Sequence, residues 1–262
     1  VRAVADEVKR WEQVPNRREA LTCEIWTHMA DELSAPKSPH DKDSLLAALV
    51  DWFGCGLYAG FRLTELAQPA YNVALAIPHL DFKGDPPAFC LPDIEFWAHG
   101  NRRITQRQTY EGLDSAIERV LVTYRTQKNG DNGEVRVFTR NAHNSRLCLV
   151  LCYLRMFRRF IRLVGWFPTT PMGLYRTTSG VVQYVTNLCP IKDKAALQKW
   201  SAHSIRVGAC VILHSQGFSA IKIQFLLRWR SLAFMMYLRN LAFLADKQNQ
   251  AIATTDKMPN FI

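Results

Sequence analysis

Ala202-His203-Ser204-Ile205-Arg206-Val207-Gly208-Ala209 is the stretch from which the rest of the chain is read. An imidazole and a guanidinium spaced three residues apart share one face of a helix, so a single small anion can meet both. Downstream, Trp229 in Leu227-Arg228-Trp229-Arg230-Ser231 and Tyr237 in Tyr237-Leu238-Arg239-Asn240 add an indole donor and a phenol. Upstream, Ala59-Gly60-Phe61-Arg62-Leu63-Thr64-Glu65-Leu66 supplies a second arginine in a helical context, and Lys128 sits beside a turn.

Around these residues the periodicity is mostly helical. Leu21, Ile25, Met29 and Leu33 recur at helical spacing within 18–33. Ser44 is placed to cap a helix whose Leu45, Leu46, Leu49, Trp52 and Phe53 build a core face, and Gly54, Gly56 and Gly60 permit close approach before Arg62. The prolines between 69 and 100 discourage long helices, while 90–97 reads as a strand. Residues 120–128 and 134–138 are rich in β-formers and flank Asn129-Gly130 and Asn132-Gly133, which predicts an antiparallel hairpin. Helices are expected at 147–164, 178–188, 192–199, 203–215, 218–228 and 231–246. The fold class that follows is mainly α with a small antiparallel β-sheet (α+β).

The 262 residues are 48% hydrophobic, ample for a packed core. Thirty-three Lys and Arg against 23 Asp and Glu leave a formal charge of +10, which favours a polyanionic partner such as nucleic acid. Seven cysteines without a Cys-x-x-Cys pair point to buried thiols rather than to a disulfide framework or a zinc site. The apolar run 44–61 is interrupted by Asp51 and reads as a buried helix, not a membrane span. In 147–164, Arg155, Arg158, Arg159 and Arg162 line one face, a basic stripe that fits DNA phosphates or, equally, a solvated helix face.

Cutting a nucleic-acid strand without a metal or cofactor needs a nucleophile, cations for the doubly charged transition state and a proton for the leaving alkoxide. Tyr237 offers the nucleophile, though a free phenol has a pKa of about 10 and must be activated by its surroundings. Arg62 and Arg206 are permanently charged planar forks suited to two nonbridging oxygens, each donor of this kind contributing about 3–4 kcal/mol. His203 is assigned as base and hydrogen-bond partner, Lys128 as proton donor to the departing 5′ oxygen, and Trp229 as a donor and packing surface. Singly, each has a plainer explanation, such as an ordinary ion pair between Arg62 and Glu65. Their order along the chain argues for a set.

That set resembles the tyrosine recombinase (phage integrase) superfamily over roughly 18–250. The segment around Arg62 resembles its first arginine box, the segment around His203 and Arg206 its second, and Leu227-Arg228-Trp229-Arg230-Ser231 with Tyr237 its closing segment. The wording near Trp229 is closer to eukaryotic mobile-element members, including crypton-type recombinases. The resemblance implies six catalytic residues (Arg62, Lys128, His203, Arg206, Trp229 and Tyr237), with Glu65 supporting Arg62. It also implies strand cleavage and rejoining through a 3′-phosphotyrosine, double-stranded DNA as partner, no cofactor and no membrane, and a homotetramer in the synaptic complex that could be monomeric without DNA.

Residues 1–17 would be a linker or the remnant of an N-terminal DNA-binding domain. Residues 18–246 would be the catalytic domain, and 247–262 a tail able to dock on a neighbour. Location would be the nucleus in a eukaryotic host, otherwise cytoplasm or nucleoid. Two features depart from the family pattern: eight residues separate Trp229 from Tyr237 where nine is common, and the stretch from Arg62 to Lys128 is long, which leaves Arg125 and Arg136 as neighbouring basic residues on the hairpin. The alternatives are a type IB topoisomerase and an inactive, domesticated DNA-binding protein.

Overall fold

The computed structural model describes residues 19–62, 65, 88–112, 114–125, 127, 132–173, 203–231, 234, 235 and 238. Its first two helices are α1 (Cys23–Ser34) and α2 (Leu45–Ala59). Ser44 caps α2 as its place before the apolar run predicts, its hydroxyl accepting from the Ala47 N–H at 3.2 Å. Thirteen of the fifteen α2 residues are buried, so this helix is wrapped on all sides and forms the axis of the molecule.

The sheet follows. Strands β1 (Ile94–Ala98) and β2 (Arg102–Ile104), a short helix α3 (Gln106–Glu111), and strands β3 (Ile117–Tyr124) and β4 (Glu134–Thr139) give a four-stranded antiparallel sheet in the order β2-β1-β3-β4. The expected hairpin is β3 and β4, with Thr123 opposite Val135 and Tyr124 opposite Glu134. The strand expected from residue 90 begins at Ile94, because Leu91–Asp93 winds into a 3₁₀ turn in which the Asp93 carboxylate accepts from the Cys90 N–H. The sequence reading did not anticipate β2 or α3. The only local signal for α3 is a reciprocal cap between Thr105 and Gln108.

Ile117, Val120, Val122 and Tyr124 of β3 point inward onto α4 (Leu149–Leu163), and Phe96 of β1 meets Phe157 of α4 edge-to-face at 5.6 Å. Each such fully buried side chain contributes roughly 1.5–3 kcal/mol by leaving water. The last two helices are α5 (His203–Ser215) and α6 (Ala220–Leu226). α5 lies against α2 because Gly56 has no side chain: a Cβ there would stand 2.4 Å from Ile205 Cγ2. A separate small core of Cys210, Ile223, Leu227, Phe234 and Leu238 fastens α6 and the segment after it to α5.

The fold is therefore α+β, helices around a small antiparallel sheet. Among the described residues no helix is long and apolar enough to cross a membrane, and six cysteines are thiols, five of them buried. The expected helices 178–188 and 192–199, most of 231–246, and the segments 1–17 and 247–262 lie outside the described residues.

Candidate active site

The first arginine is delivered by the end of α2. Gly60 closes the helix at φ 56°, a left-handed conformation that glycine adopts without strain, and a Cβ there would meet Leu227 Cδ2 at 2.8 Å. Phe61 then plunges into an aromatic nest, 5.3 Å from Phe89 and 6.3 Å from Tyr153 between ring centres. With its two predecessors fixed, Arg62 is held against Glu65 and the Arg228 carbonyl. Glu65, only 1% exposed, accepts from the Arg62 N–H at 2.8 Å and from its Nη1 at 3.3 Å. Glu65 thus clamps both the main chain and the side chain of Arg62.

The second arginine comes from α5. His203 opens the helix and Arg206 stands one turn later, 3% exposed. The Arg206 guanidinium donates to the carbonyl oxygens of Gly60 at 3.0 Å, Leu227 at 2.6 Å and Arg228 at 3.4 Å. It also lies over the Trp229 indole, 4.5 Å from the ring centre, and the His203 ring meets the same indole edge-on at 6.0 Å. Arg62 Nη2 donates to the Arg228 carbonyl as well, at 3.2 Å, so both arginines grip one oxygen.

Among the described residues no carboxylate touches Arg206. Burial, then the fields of Arg62 and Arg228, pull its pKa down to about 9. A guanidinium nevertheless stays protonated at neutral pH. Such a charge is costly to bury alone, and an arriving anion removes that cost.

A third arginine, missed in the sequence reading, completes the cluster. Arg228 is 5% exposed and donates to both oxygens of Glu65, each at 2.8 Å, and to Gln127 Oε1 at 3.0 Å. Its guanidinium lies 3.6 Å from the centre of the Tyr124 ring. Burial is the largest single influence and works against its charge, but hydrogen bonding to Glu65 together with the fields of Tyr124, Glu65 and Glu134 outweighs it and the pKa is raised. Gln127 in turn donates through its side-chain amide to Glu134 Oε2 at 2.8 Å and through its main-chain N–H to Asn132 Oδ1 at 2.7 Å. The one hint in the sequence was a charged residue wedged between Leu227 and Trp229.

Five of the residues singled out from the sequence, Arg62, Glu65, His203, Arg206 and Trp229, are therefore brought to one place by α2, α5 and the Leu227–Trp229 segment. Lys128 and Tyr237 lie outside the described residues. Three guanidiniums stand around Glu65 and the Arg228 carbonyl, an arrangement that can receive a small, multiply charged oxyanion. Among the described residues no group of three or more His, Cys, Asp or Glu is disposed to hold a metal ion.

No protein-family model matches the chain, and no curated protein matches it. Among solved structures it is similar to the Tn1549 transposon integrase in complex with a circular intermediate DNA. The TM-score is 0.44 at 10% identity, covering 92% of this chain and 68% of that one. A second complex of the same integrase with circular intermediate DNA gives a TM-score of 0.43 at 12% identity, with the same coverage.

The basic stripe on α4 stands apart from the cluster, and each of its four arginines meets a carboxylate. Arg155 Nε reaches Asp51 Oδ1 at 2.6 Å and Arg159 Nη2 reaches Asp51 Oδ2 at 2.7 Å. Arg162 pairs with Asp43 and Arg158 with Asp114. The physical reason is Asp51: a carboxylate 1% exposed in the middle of α2 needs counter-charge, and α4 supplies it. The basic residues near Lys128 are likewise engaged, Arg125 with Asp93 and Arg136 with Glu134 and the Phe225 carbonyl.

Proposed function

We propose that this chain is a DNA strand-transfer enzyme of the tyrosine recombinase type, a site-specific recombinase of a mobile element. The observation that carries the reading is Arg206, a buried cation that among the described residues is held by carbonyl oxygens and an indole, beside a second arginine and an imidazole. A phosphodiester answers that arrangement. Its two nonbridging oxygens carry the negative charge the site lacks and match the planar donors of Arg62 and Arg206.

In the proposed reaction the Tyr237 phenolic oxygen attacks phosphorus, forming a phosphotyrosyl bond as the bond to the 5′ oxygen breaks. The phenol proton passes to His203, and Lys128 gives a proton to the leaving 5′ oxygen, so the products are a 3′-phosphotyrosine and a free 5′ hydroxyl. Arg62 and Arg206 hold the charge that builds on the nonbridging oxygens, and Trp229 fixes the orientation of both Arg206 and His203. Rejoining is the same step in reverse with a new 5′ hydroxyl. Synapsis of two DNA duplexes by four protomers belongs to the same reading.

The test is incubation with a suicide DNA duplex in EDTA. A denaturant-resistant adduct that maps to Tyr237 and disappears in Tyr237→Phe is the expected result. Magnesium-dependent cleavage, or protein attached to a 5′ phosphate, would defeat the mechanism. Unaltered DNA binding with no adduct at any site would mean a binding protein instead, and relaxation of a single supercoiled circle without recombination would indicate a topoisomerase.

A further inference from the structure

Arg228 holds both sides of the proposed phosphate clamp at once. Its carbonyl oxygen accepts from Arg62 and from Arg206, while its guanidinium takes both oxygens of the carboxylate that also holds the Arg62 main chain and side chain. Both attachments depend on an unusual backbone. Arg228 sits at φ 56°, a region that a residue with a side chain adopts only when its surroundings impose it. Three contacts impose it here: the ion pair to Glu65, the stack on Tyr124 and the hydrogen bond to Gln127. The left-handed turn directs the carbonyl to the two arginines and sends the next residue, Trp229, beneath Arg206.

We propose that Arg228 is a positioning residue for strand cleavage, setting the geometry of Arg62 and Arg206 through its carbonyl oxygen and through Glu65 without itself touching the DNA. This role rests on the reading of the cluster as a phosphodiester clamp. It gives the buried arginine a second consequence. Gln127, which it also holds, immediately precedes Lys128, and Gln127 is tied to Glu134 on β4. One side chain therefore connects the arginine pair to the strand end that leads into the proposed proton donor.

The experiment uses the full chain and two suicide duplexes, one with an ordinary scissile phosphodiester and one in which a methyl group replaces a nonbridging oxygen. Removing that oxygen removes negative charge, so cleavage of the second duplex depends less on a correctly set arginine pair. DNA affinity and single-turnover adduct formation are measured for the parent and for Arg228→Met/Glu65→Gln, which replaces the buried ion pair with neutral groups of similar size and is expected to fold. The expected outcome is unchanged affinity, adduct formation slower on the order of 100-fold on the ordinary duplex, and a clearly smaller loss on the methylated one.

A parental rate on the ordinary duplex, or equal losses on both, overturns the positioning role. Should the double variant fail to fold, Arg228→Lys carries the test, since a point cation replaces the planar fork. The same difference between duplexes is expected, and its absence overturns the proposal. No adduct from the parent chain on either duplex refutes the reading of the site, and the positioning role falls with it.

Discussion

Two groups of arginines in this molecule have the same chemistry and opposite circumstances. On α4, Arg155, Arg158, Arg159 and Arg162 meet the carboxylates of Asp43, Asp51 and Asp114. In the cluster at the end of α2, Arg62 and Arg228 share Glu65, and Arg206 touches no carboxylate among the described residues. On α4 the spacing fitted either a surface for phosphate or a solvated face, yet three of the protein's own carboxylates take up most of its charge. The cluster, scattered over distant segments of sequence, is where positive charge is left in excess. A regular basic pattern says where guanidiniums lie, and only the position of the acids says whether their charge is available to a partner.

Substitutions on the two sides should behave oppositely, and Arg206→Ala is expected to have the largest effect. Loss of a preorganised buried donor should slow adduct formation by the folded fraction about 100- to 1000-fold. Retained cleavage would erase the distinction between the groups. Arg159→Ala should do the reverse. It leaves Asp51 buried with only the outer Arg155, so unfolding in urea should show a loss of about 3 kcal/mol, with the cleavage rate of the folded fraction unchanged.

The acid limb of stability sharpens the comparison further. Hydrogen bonding by Arg162 holds the Asp43 carboxyl below its ordinary pKa, and Arg158 does the same for Asp114. Carboxylates depressed in the folded state stabilise it fully above the unfolded value, and this support is lost as pH falls through the lower folded value. Asp43→Asn and Asp114→Asn should therefore flatten the fall in urea midpoint on acidification. An unaltered slope would mean these pairs do not hold α4.

The smallest effect should come from Arg155→Ala, whose side chain is 42% exposed. Stability should change by about 1 kcal/mol or less, and the salt dependence of DNA binding should keep its slope. A fall of about one unit would return this arginine to the phosphate-binding surface.

Much of the scaffold was legible because its signals are local. Ser44 before an apolar run marks a helix start, and β-formers on both sides of Asn-Gly pairs mark a hairpin. His203 and Arg206 fall on one face simply because a helix repeats every 3.6 residues. β2 and α3 escaped notice because they are short and pack with little periodicity of their own. The partners of the α4 arginines escaped for another reason: Asp51 and Asp43 lie more than one hundred residues away in sequence, at separations of 104 and 119. Arg228 is the extreme case, since its ion pair with Glu65 spans 163 residues and its left-handed backbone breaks the preference of its residue type.

The sequence by itself determined which side chains exist to do chemistry, which of them share a helix face, and that the chain folds as helices around a small antiparallel sheet. Those properties follow from periods and turns that neighbouring residues set among themselves. Only the tertiary structure decided which arginines are neutralised and which converge as excess charge, because an ion pair depends on distance through space, and folding alone brings Gly60, Arg206 and Arg228 within hydrogen-bonding reach of one another.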